Sequence, residues 1–69
     1  MRVTVTVADL AAGQDHGSVW VLTGTADDGA RVTFGGDHRP MRGLADAVME
    51  QGEVEAEVEP WQVLGSARP

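Results

Sequence analysis

Two stretches of this chain, residues 2–7 (RVTVTV) and 53–59 (EVEAEVE), alternate polar and apolar residues without a break. A period of two commits each to a strand with one buried face. Val3, Val5 and Val7 form the apolar row of the first, and Val54, Ala56 and Val58 that of the second. Two more strand patterns lie between them, residues 17–25 and 30–35, joined through Asp27-Asp28-Gly29. That triplet is a tight-turn signal, because Asp28 and Gly29 tolerate positive φ. The run from Val19 to Leu22 is apolar on both faces, which predicts a central strand. Residues 9–18 hold Gly13 and Gly17 and no apolar run, and read as a loop.

After Gly36 the period changes. Met41, Leu44, Ala45, Val48 and Met49 recur at helical spacing, with Asp37 placed to cap the start, Pro40 in the first turn and Gly52 as a left-handed stop. Pro60 then interrupts the last alternating stretch, and Trp61-Gln62-Val63-Leu64 predicts a short fifth strand. Residues 1–65 are expected to form one domain and 66–69 a flexible C-terminal tail.

A chain of 69 residues has material for a single core, and with no cysteine it cannot be stapled by disulfides. Structural zinc lacks its usual thiolates. Stability is therefore expected from aliphatic packing or self-association. The apolar stretches fall well short of the ~20 residues of a membrane span, and Met1 runs directly into Arg2 and a strand. A cytoplasmic protein without a membrane anchor or cofactor is expected.

The order of elements, strand-strand-strand-helix-strand-strand over residues 2–64, resembles the OB-fold, a small five-stranded Greek-key barrel. The segments concerned read GSVWVLTG, RVTFGGDHRP and EVEPWQVLG, and the likeness is one of element order and length. It implies a mainly β domain with one helix, closed into an OB-like barrel. It also implies a ligand face across the second and third strands, flanked by the loop at residues 9–18. Single-stranded nucleic acid is the ligand such a face suggests, with Trp20, Arg31, His38, Arg39, Arg42 and Trp61 as its nucleic-acid or anion contacts.

Charge points elsewhere. Eleven acidic residues against five basic ones give a formal charge of −6, which repels phosphate at long range. The acid is concentrated in Glu53, Glu55, Glu57 and Glu59, which alternate along one strand face and form a candidate protein-contact surface. The plainer role of that row is a solvated face that discourages edge aggregation. Gly35-Gly36 before the helix is placed to turn the chain or to expose amides to an anion, beside His38, Arg39 and Arg42. Trp20 and Phe34 are expected in the core, and Trp61 either there or outside. No serine or histidine stands at a recognisable catalytic spacing. The expected function is thus a small, acidic, non-catalytic interaction module or regulator that binds an unidentified protein or itself. An OB-type single-strand binder is the alternative.

Overall fold

The alternation that begins at Arg2 does form a strand, but the strand stops one residue short of its apolar row. In the computed structural model, which describes residues 1–67, β1 spans Arg2–Thr6 and a short helix α1 spans Val7–Ala11. Thr6 is the reason. Its hydroxyl accepts a hydrogen bond from the Asp9 N–H at 3.2 Å, and the Asp9 carboxylate accepts one from the Thr6 N–H at 3.0 Å. This reciprocal capping box satisfies two amides that a helix start leaves orphaned, and it turns Val7 out to solvent instead of inward.

After α1 the chain forms β2 (Gln14–His16), β3 (Val19–Ala26), β4 (Arg31–Asp37), α2 (His38–Gln51), β5 (Glu53–Glu57), a 3₁₀ turn over Pro60–Gln62, and β6 (Val63–Ala67). The residues expected to be a loop thus hold part of α1 and all of β2. In the β3–β4 turn only Gly29 takes positive φ, at 87°. Asp28 contributes through its side chain, which accepts from the Ala30 N–H at 3.0 Å. The strand expected at Trp61 begins at Val63 instead, and it runs on through Ser66 and Ala67, where the tail was expected to start. Arg68 and Pro69, the rest of that tail, lie outside the described residues.

The OB-like barrel is not formed. Six strands make one open sheet in the order β5-β1-β3-β4-β6, with β2 also paired to β3, and among the described residues no ladder joins β5 to β6. With two helices against this sheet, the domain is mixed α/β rather than mainly β with one helix. Closure fails where the chain leaves β5. Pro60 has no N–H to continue a ladder, the chain winds into the 3₁₀ turn, and the last strand then pairs with β4. The order of elements is compatible with either outcome; the ladders decide.

All the ladders are antiparallel. β3 is long enough to serve two partners on one flank, β2 along Val19–Val21 and β1 at Thr25 and Ala26. Where β1 runs beside β3, Gly24 leaves the needed space. A Cβ there would overlap the Val3 side chain and lie 2.6 Å from the Thr4 carbonyl oxygen. The core comprises Val3, Val5, Leu22, Val32, Phe34, Met41, Val48 and Val58, with Leu10, Trp20, Leu44 and Val63 packed around it. α2 contributes Met41, Ala45 and Val48, and Gly52 at φ 87° ends it. Met49, part of the predicted apolar stripe, is exposed. By alternation, the opposite face of the sheet shows Thr4, Thr6, Val19, Val21, Thr23, Thr25 and Thr33; the Thr23 and Thr33 hydroxyls are 2.8 Å apart.

Candidate functional site

Of the six residues proposed for nucleic-acid contact, Trp20, His38, Arg39 and Arg42 meet beside the start of α2, and Arg31 and Trp61 lie elsewhere. Trp20, on the core side of β3, is only partly exposed and packs on the core cluster. With Gly13, Asp15, His38, Arg42, Ala45 and Asp46 it lines an open cleft of about 470 Å³ beside the start of α2. Arg39 lines an adjoining hollow with His38 and Arg42. Asp15 and Asp46 offset the positive charge of this cleft, and His38 Nε2 lies 3.2 Å from Asp15 Oδ1. Asp37, expected to cap α2, makes no side-chain cap bond.

Arg31 lies elsewhere, on the face opposite the core. Its guanidinium donates to Thr25 Oγ1 at 2.6 Å and to Asp9 Oδ1 at 2.8 Å. Burial pushes the Asp9 carboxyl up, but the Arg31 guanidinium and the Thr6 N–H and hydroxyl outweigh that and hold it below the usual carboxylate range. Arg31 is thus bound into the scaffold. His16 bonds Gln14 at 3.1 Å, so Asp15 and His38 meet without it. Among the described residues no three metal-capable side chains converge.

The glutamate row is split. Glu53, Glu55 and Glu57 are exposed on the edge strand β5, opposite Thr6, Thr4 and Arg2 of β1. Glu57 Oε1 is 3.2 Å from the Met1 ammonium, and Glu55 Oε2 is 3.6 Å from Arg2 Nη1. Glu59 stands apart, before the 3₁₀ turn, where its N–H donates to Gln62 Oε1 at 2.9 Å.

Trp61 is where structure adds most. It is 78% exposed and Leu64 is 64% exposed. Together with Val19, Gly35, Gly36, Asp37 and Gln62 they line a groove of about 230 Å³ at the end of β4. The groove follows from local sequence. Pro60 starts a turn that presents Trp61 outward, the Gln62 amide anchors that turn on the Gly35 carbonyl at 3.2 Å, and Gly35 lets the Val19 and Leu64 side chains close in on β4. The register shift between Thr33 and Phe34 in the β4–β6 ladder leaves Leu64 beside Gly35, where a Cβ would lie 3.6 Å from its methyl carbon. Val19 and Gly35 are far in the chain from each other and from Trp61 and Leu64, so no local pattern joins all four. The signals within reach were a glycine pair inside a strand and a Pro-Trp step after one.

Among the described residues no helix is long and apolar enough to cross a membrane. Comparison of the chain with family models, curated proteins and solved structures finds no match in any of the three.

Proposed function

We propose that this domain is a non-catalytic interaction module of the cytoplasm that docks onto another protein through the groove around Trp61. The single observation that carries the reading is the position of the tryptophan. In a chain with three aromatic residues, one is 78% exposed, beside a leucine that is 64% exposed, in a groove that Gly35 and Gly36 also line. Exposed tryptophan in a concave apolar setting is the composition of interface anchors. A cysteine-free composition supports a reducing compartment. Asp9, whose carboxyl is held low, serves a helix cap and an ion pair, which is a scaffold role rather than chemistry in a cleft.

The glutamate edge is the weaker contact surface. Two of its carboxylates already face cations of this chain, and acid on an edge strand is a common guard against unwanted pairing.

The test places a photoreactive phenylalanine analogue at position 61 in the full chain and irradiates cells that express it. A discrete protein adduct is expected from position 61 and none from position 49, where an exposed methionine stands outside the groove. Trp61→Ala should shift stability by no more than about 0.5 kcal/mol, as for an exposed side chain without partners. If no adduct forms at 61, or if position 49 gives the same adducts, the reading is wrong.

A further inference from the structure

We propose that the groove around Trp61 is a socket for a single arginine side chain of the partner protein. The proposal rests on the docking reading above and names the group that enters. The groove lies on the face of the sheet opposite the core. Val19 of β3 and Asp37 of β4 are direct cross-strand partners there, so their side chains stand side by side on one face. Gly35, two residues before Asp37, shares that face, and Leu64 and Trp61 complete the lining. One small hollow thus holds aliphatic carbon, an indole and a carboxylate.

Those three surfaces match the parts of an arginine. Its methylene stem packs on aliphatic side chains such as Val19 and Leu64. Its guanidinium is drawn to the face of an indole, and its planar fork pairs with a carboxylate. Lysine carries a compact, strongly hydrated point charge and matches indole and carboxylate less well. The groove's volume of about 230 Å³ lies below the usual range for small-molecule pockets, roughly 300–1,000 Å³, and suits one side chain.

Asp37 sets the sign of the charge. It is the charged residue of the groove lining, it is exposed, and among the described residues it makes no cap bond and no ion pair. The chain's own described arginines are engaged or placed elsewhere. Arg2 and Arg31 face Glu55 and Asp9, and Arg39 and Arg42 lie beside the start of α2. The match for this carboxylate therefore comes from outside. A second copy offers Arg39 or Arg42 but brings another charge of −6, and the repulsion disfavours it.

The probe is a short glycine-serine peptide with one central arginine, added to the intact protein at millimolar concentration. Three controls replace that arginine by citrulline, which keeps the shape without the charge, by norleucine and by lysine. NMR follows the backbone amides of Gly35 and Gly36 and the indole N–H of Trp61. The expected result is a saturable shift of these groups with the arginine peptide. Citrulline and norleucine should bind about tenfold or more weakly, as for the loss of a charge-assisted pair, and lysine should fall between. Asp37→Asn should weaken the arginine peptide about as much as citrulline does and leave the norleucine peptide unchanged. Its melting temperature should equal that of the native chain, because the carboxylate bonds nothing within the fold. Norleucine or lysine that binds as tightly as arginine, binding indifferent to Asp37→Asn, or no saturable shift with the arginine peptide overturns the inference. Self-association that is lost both in Asp37→Asn and in the Arg39→Ala, Arg42→Ala double variant overturns it in favour of a second copy. If position 61 cross-links in cells as strongly with Asp37→Asn as without it, the docking reading stands and this inference falls; if position 61 gives no adduct, both fall.

Discussion

Arg31 on β4 reaches across β3 to Asp9 on α1, with 2.8 Å between Nη2 and Oδ1, and so ties the break between β1 and β2 to the middle of the sheet. The same carboxylate completes the capping box with Thr6. One side chain therefore serves the helix start and a long-range ion pair.

That double role makes a prediction about acid. The Asp9 carboxyl titrates lower in the folded chain than in the unfolded one, so the unfolded state takes up protons first as pH falls. Its stabilising contribution is complete above the ordinary carboxylate value of about 4 and is lost as pH drops through the lower folded value. Thermal unfolding of the native chain and of Asp9→Asn, compared between neutral and strongly acidic pH, should show a gap that is constant near neutrality and narrows only below about pH 4. A gap that closes at higher pH, or never closes, would contradict this assignment.

Gly24 permits no side chain. Gly24→Ala should destabilise the fold by about 1–3 kcal/mol, the usual cost of overpacking, because the new methyl meets Val3 and the Thr4 carbonyl. Gly43→Ala is the control, since a Cβ there meets nothing within 4 Å, and in a helix interior it should stabilise by up to about 1 kcal/mol. Chemical denaturation of both variants checks the contrast. Equal effects would mean that β1 and β3 are not this close.

Asp15 and His38 join β2 to the first turn of α2 at the protein surface. Asp15→Ala should change global stability by less than about 1 kcal/mol, as surface pairs do. Its visible effect should be local, with faster amide exchange in β2, whose three residues are all exposed. A large fall in melting temperature instead would assign β2 a share of the core that its burial does not suggest.

The readable parts of this sequence are those with a period or a punctuation mark. β1 and β5 follow their alternation over Arg2–Thr6 and Glu53–Glu57, each ending before its alternating run does, α2 ends at Gly52, and Asp28-Gly29 turns the β3–β4 hairpin. Phe34 continues the inward register of Val32, and both are buried. Three features escaped for separate reasons. The Thr6–Asp9 capping box overlaps the end of an alternating run, so strand and helix signals compete over Val7. β2 consists of Gln14, Asp15 and His16, polar on both sides, and its only mark is the ladder it makes with β3. The resemblance to a closed barrel rested on element order, which does not state whether the two edges of the sheet meet.

The β5–β1 ladder joins opposite ends of the chain, Glu57 to Arg2, while β3 and β4 pair across a single tight turn. Closing a loop that long costs entropy before any contact repays it, so such pairings form late. During that interval the valines of β1 stand at an open border, able to join a neighbouring molecule as readily as their own strand. The strand that will eventually cover them is the one dense in glutamate. Its charge is in place before the ladder forms, and like charge acts against encounters between half-folded copies.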